Sequence, residues 1–78
     1  MQLTVYSRSG CHLCEEMLDR LAALRPELGY GLTVIDIGND GALEAWFGQR
    51  VPVLVAEGKE ICHYFLDEPA LREYVDGA

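Results

Sequence analysis

The apolar pattern changes period at Cys11, and that change restricts the fold more than any other feature of the chain. Leu3-Thr4-Val5-Tyr6 is a β-prone run closed by the polar turn Ser7-Arg8-Ser9-Gly10. From Cys11 the spacing is helical. Cys14, Met17, Leu18, Leu21 and Ala22 fall at i, i+3, i+4, i+7 and i+8, with Glu15, Glu16, Asp19 and Arg20 on the other side. Pro26 predicts an end near Leu24 or Arg25, because the residue before a proline disfavours helix. Gly29-Tyr30-Gly31 turns the chain back, and Leu32 to Ile37 is a second β-branched run. A strand–helix–strand unit implies two parallel strands joined by a right-handed crossover.

The remaining segments extend that unit. Asn39-Asp40-Gly41 reads as turn and helix cap, and Leu43, Trp46 and Phe47 at i, i+3 and i+4 predict a short helix ended by Gly48. Trp46 and Phe47 are expected to anchor that helix on the sheet, since aromatic side chains bury large areas. Val51 to Ala56 reads as a third strand entered through Pro52, Glu57-Gly58 as a turn, and Lys59 to Phe65 as a fourth strand. Asp67 or Glu68 can cap a last helix, with Pro69 in its first turn and Leu71, Tyr74 and Val75 on one face. The predicted order is βαβαββα, a four-stranded mixed sheet covered by three helices, in a single α/β domain over residues 1–78.

Composition narrows the function classes. A chain of 78 residues supports one minimal core, burying about 60–65% of the surface of its unfolded form. Six Lys plus Arg against 13 Asp plus Glu give a formal charge of −7, which argues against nucleic acid or an anionic membrane as partner. No apolar run approaches the roughly 20 residues of a membrane span. No basic-then-apolar leader precedes Leu3, so a cytoplasmic location is expected.

The three cysteines, Cys11, Cys14 and Cys62, are an odd count and do not read as the disulfide framework of a secreted miniprotein. Two thiols separated by two residues suit redox chemistry or metal binding. At a strand-to-helix junction, Cys11 would meet the unpaired N–H groups and the positive dipole end of the helix, which favour a thiolate. Its pKa is expected to fall moderately below the free value of roughly 8.5. Arg8 and protonated His12 would assist that shift, while Glu15 and Glu16 would oppose it. Cys14, a turn deeper on the apolar face, would be shielded. Cys11 is therefore the expected nucleophile and Cys14 the resolving thiol. The plainer alternative is a buried pair of small apolar residues. Cys62 and His63 are adjacent on a strand and point to opposite faces, so no metal site is expected: zinc needs four convergent ligands. Cys62 reads as a structural apolar residue and His12 as a polar turn residue.

The segment Tyr6-Ser7-Arg8-Ser9-Gly10-Cys11-His12-Leu13-Cys14 resembles the approach to the active site in glutaredoxins, and Val51-Pro52 resembles the Val-Pro step of thioredoxin-fold proteins. The similarity covers essentially the whole chain and is closest to short glutaredoxin-like proteins. It implies a thioredoxin-like fold of glutaredoxin type. Cys11 would be the nucleophile and Cys14 the resolving thiol. Arg8 would be a cation for a glutathione carboxylate. Val51 would pair through its backbone with a bound cysteinyl segment, Pro52 would be cis and face the two cysteines, and Asp67 would be one of the acids that hold glutathione. Two departures stand out. Tyr64 and Phe65 replace the usual Gly-Gly pair, and His12-Leu13 replaces the common Pro-Tyr between the cysteines.

The implied activity is dithiol–disulfide oxidoreduction by a monomer without a tightly bound cofactor. Glutathione is a candidate co-substrate. Expected partners are a disulfide-containing protein or a glutathione mixed disulfide. Two other readings stay open: a non-catalytic protein-binding module that uses the Val51-Pro52 edge, and a glutathione-linked iron–sulfur carrier.

Overall fold

A computed structural model describes residues 1–77, in which seven elements follow one another: β1 (Gln2–Ser7), α1 (His12–Leu28), β2 (Gly31–Asp36), α2 (Gly41–Phe47), β3 (Val53–Ala56), β4 (Lys59–His63) and α3 (Glu68–Asp76). The strands form one sheet in the order β2-β1-β3-β4. β1 lies parallel to β2, with Leu3 opposite Leu32 and Val5 opposite Val34. It lies antiparallel to β3, with Tyr6 opposite Val53, and β3 is antiparallel to β4, with Val53 opposite His63. This is the thioredoxin-like α/β arrangement expected from the sequence.

Alternation along the strands sorts the core into two layers. Leu3 and Val5 of β1 and Leu54 and Ala56 of β3 pack with Met17, Leu21 and Leu24 of α1 and Leu71 of α3. On the other face, Val53 and Ile37 pack with Phe47 of α2, and the Tyr6 ring stacks on Phe47 with centroids 4.2 Å apart. Each fully buried aliphatic side chain contributes about 1.5–3 kcal/mol relative to exposure.

Several expectations change. Trp46 does not anchor α2: it is 73% exposed, while Phe47 is buried. A helix of seven residues presents one narrow stripe, here Leu43 and Phe47 at i and i+4, and Trp46 is turned about 100° from Phe47. Ala22 also faces solvent, and Leu24 takes the core position. The first helix continues through Pro26 to Leu28 and ends at Gly29, which has φ 75° and donates its N–H to the Arg25 carbonyl. Packing at the C-terminal end outweighs the lost hydrogen bond there. Tyr30 is buried and donates its hydroxyl to the Leu21 carbonyl, and Arg25 Nε donates to the Tyr30 carbonyl.

Both later strands are shorter than expected. β3 starts after Pro52, which has no N–H for the ladder. β4 stops at His63, because Tyr64 takes the left-handed conformation with φ 63° and Phe65 N–H bonds the His63 carbonyl in a tight turn. The Val51–Pro52 peptide bond is cis. No helix among the described residues is long and apolar enough to cross a membrane.

Candidate active site

Cys11 is the N-cap of α1. Its backbone is extended, and the Cys14 N–H donates to its Sγ at 3.2 Å. The side chain thus occupies the acceptor place that Ser or Asp fills at other helix starts, with a backbone donor aimed at the sulfur. The Cα atoms of Cys11 and Cys14 are 5.2 Å apart and the two sulfurs face each other at near-disulfide distance. Cys14 is 2% exposed, whereas Cys11 is only partly covered. The two thiols therefore differ as the helical pattern requires: one at the rim, one against the core. His12 is fully turned to solvent, with its Nδ1 3.9 Å from Glu15 Oε2.

The loop carrying Cys11 is fastened on both sides. Ser9 donates its hydroxyl to Asp36 Oδ2 at 2.9 Å, and Asp36 Oδ1 accepts the Gly38 N–H at 2.8 Å. The Gly38 amide chiefly, then the Ser9 hydroxyl, holds the Asp36 carboxyl below its ordinary range. Arg8 reaches α2, donating to the Glu44 carboxylate and to the Gly48 carbonyl. The guanidinium that resemblance directs at a glutathione carboxylate is occupied within the chain.

The strand register brings the remaining candidates to the same end of the sheet. Val53 pairs with Tyr6, so Val51 and Pro52 lie beside the Ser7–Cys11 loop. Pro52 is buried, and its carbonyl accepts the Tyr64 N–H at 3.0 Å. Asp67 caps α3, accepting the Ala70 N–H at 3.1 Å. Cys62 stands apart on β4, half-buried. Loss of solvent raises its thiol pKa above the ordinary value. No group of three or more His, Cys, Asp or Glu among the described residues is placed to hold a metal ion.

Two supports of this site were not found by pattern. The Ser9–Asp36 bond joins residues far apart in the chain. Tyr64 lies across the loop before β3, donating its hydroxyl to the Gln49 carbonyl at 2.6 Å in addition to its bond to Pro52. Neither has a spacing signal; only the bulk of Tyr64, where the resemblance to glutaredoxins implies glycine, marks it.

A thioredoxin-like sheet with a Cys-x-x-Cys at the head of its first helix, beside a cis-proline, defines a glutaredoxin-type protein. The chain belongs to the family described as Glutaredoxin-like domain (DUF836), whose pattern matches residues 2–76. It is similar to protein Ne2328 from Nitrosomonas europaea, known from a solution NMR structure, with 47% identity and a TM-score of 0.84 over 94% of this chain and 88% of that one. It is also similar to an uncharacterized protein of Mycobacterium tuberculosis, 38% identical over 77 residues, or 91% of this chain and 78% of the relative. The buckwheat glutaredoxin–glutathione complex is a more distant neighbour, with 25% identity and a TM-score of 0.53 over 96% of this chain and 69% of that one.

Proposed function

We propose that this protein is a dithiol–disulfide oxidoreductase in which Cys11 attacks and Cys14 resolves. The observation that carries this reading is the pairing of an N-cap sulfur that accepts a backbone N–H with a second, buried sulfur facing it one helical turn on. A hydrogen bond to sulfur and the positive end of α1 both favour the ionised thiol, which is the nucleophile.

In the forward direction the Cys11 thiolate bonds to one sulfur of a substrate disulfide, and the other sulfur leaves as a thiolate that takes up a proton. Cys14 then loses its proton and attacks Cys11 Sγ. This forms the Cys11–Cys14 disulfide and releases the second substrate thiol. Two electrons pass from the protein to the substrate, and an external thiol or reductase returns the pair to the dithiol. The backbone at Val51, ahead of Pro52, receives the substrate chain by strand-like pairing, which recognises many sequences because it reads main chain.

A disulfide reductase assay on wild type, Cys11→Ser and Cys14→Ser tests this, with and without glutathione. Both variants are expected to lose turnover by at least about 100-fold, as for removal of a covalent nucleophile or its partner. Cys14→Ser is expected to accumulate a mixed disulfide at Cys11, visible by mass spectrometry. Full activity in Cys14→Ser with glutathione present would replace the dithiol route by a monothiol one. An inactive wild type would move the protein to the binding-module reading.

A further inference from the structure

A groove of about 220 Å³ opens between the first turns of α1 and the turn after β4, walled by Leu13, Met17, Phe65 and Leu66. Leu13 lies between the two cysteines in the chain, so the groove reaches the helical turn that carries both thiols. The volume is below the roughly 300–1,000 Å³ of pockets that enclose a drug-sized ligand, and suits one bulky side chain. Phe65 is 67% exposed at its edge, an aromatic surface left uncovered. The wall is held in place: Tyr64, also lining the groove, is tied through its hydroxyl to Gln49 and through its N–H to Pro52.

The groove's lining charge without an ion-pair partner among the described residues is negative. Glu16 lines it, and no ion pair engages Glu16 among the described residues. Arg20 also lines it but is bound to Glu68, and Arg8 is bound to Glu44. Lys59 stands at the far end of β4, opposite Ala56. Glutathione carries two carboxylates and one ammonium group, and would meet a chain of net charge −7 in which Arg8 and Arg20 are both already paired with carboxylates. A basic segment would instead be drawn in by the same field.

We infer that this groove docks an extended protein segment whose disulfide cysteine is flanked by a bulky apolar side chain and a basic residue, and that it disfavours glutathione disulfide. The inference rests on the oxidoreductase reading for its chemistry, and on the groove alone for its recognition. Phe65 and Glu16 are its specificity-determining residues, one supplying apolar contact and the other charge.

The test has two arms. In the first, protein reduced with dithiothreitol and desalted is mixed in single turnover with three disulfides: a short peptide dimer with Phe and Arg flanking its cysteine, its Gly and Glu counterpart, and glutathione disulfide. Oxidation of the Cys11–Cys14 pair is followed by mass spectrometry. The Phe/Arg peptide is expected to react about tenfold faster than either of the others, the scale of burying one large apolar side chain. Phe65→Ala is expected to shrink that preference by about fivefold, Phe65→Leu to keep most of it, and Glu16→Gln to weaken its dependence on salt. Glutathione disulfide reacting as fast as the Phe/Arg peptide, or a preference untouched by Phe65→Ala, would overturn the inference.

In the second arm the Phe/Arg peptide carries Ser for Cys and is titrated against the oxidised protein by NMR. Shifts centred on the Leu13 and Phe65 amides are expected. None there refutes the groove, whether or not any disulfide is reduced. Shifts there without reduction of any disulfide uphold the groove and refute the oxidoreductase reading instead.

Discussion

Cys11 and Cys62 sit in opposite environments, and the difference is measurable. The Cys11 sulfur accepts a backbone N–H at a helix start, where a thiolate is favoured. At Cys62 burial raises the pKa first; the Asp67 amide lowers it in part, and the Asp67 and Glu60 carboxylates raise it again. In the reduced protein, iodoacetamide labelling of Cys11 is expected to show a midpoint below the free value of roughly 8.5, and that of Cys62 a midpoint above it. The sign for stability follows. Because the folded chain holds the Cys62 proton longer than the unfolded one, its contribution is complete below the unfolded pKa and is lost as pH rises through the folded one. Mass-resolved labelling across pH 6–10 checks both, and a Cys11 midpoint above the free value would contradict the activated thiol. The cysteine pair was legible in sequence because its spacing is local. Arg8 was legible as a cation near the site, but its bond to Glu44 was not, since 36 residues separate the two.

At the scale of elements, periodicity located every strand and helix, and single residues misled at their ends. Pro26 is inside α1, where it leaves the Ala22 carbonyl without its helical N–H. Pro26→Ala restores that donor and is expected to stabilise the fold by about 1–2 kcal/mol, after the greater freedom of the unfolded chain is offset. Urea denaturation reads this directly, and a loss of stability would mean that Pro26 makes contacts of its own. In α2 the neighbours Trp46 and Phe47 are expected to separate sharply. Phe47→Ala costs about 3–5 kcal/mol because it removes a buried ring, whereas exposed Trp46→Ala stays within about 0.5 kcal/mol. Sequence spacing put both aromatics on the face toward the sheet. The register of α2 against Tyr6 and Val53 chose Phe47.

Over the whole molecule, acidic excess is partly absorbed by pairs that join separate elements, Arg20 with Glu68, Arg72 with Glu27 and Arg50 with Glu60, and by the Arg72–Glu68 pair within α3. The Arg72 hydrogen bond chiefly holds Glu27 below its ordinary 4.5, His63 chiefly does so for Glu60, and Asp36 is held below 3.8 by Gly38. Depressed carboxylate pKa values stabilise the fold above the unfolded pKa, and that stabilisation is lost as pH falls through the folded one. Midpoint temperature is therefore expected to be level from pH 7 to about pH 5 and to decline below about pH 4.5. These groups are exposed and screened, so the decline is expected to be shallow and to flatten in high salt. A Tm that rises on acidification would refute it.

The amino-acid order alone determined the alternation of strands and helices and the two thiols at a helix start. Each of these is a local matter of period, capping and spacing within a few residues. Tertiary structure decided what lies around those thiols: which aromatic faces water, how Tyr64 closes over Gln49 and Pro52, and which carboxylates take up Arg8 and Arg20. Such choices depend on contacts between residues 12 to 48 positions apart, whose energies no local pattern encodes.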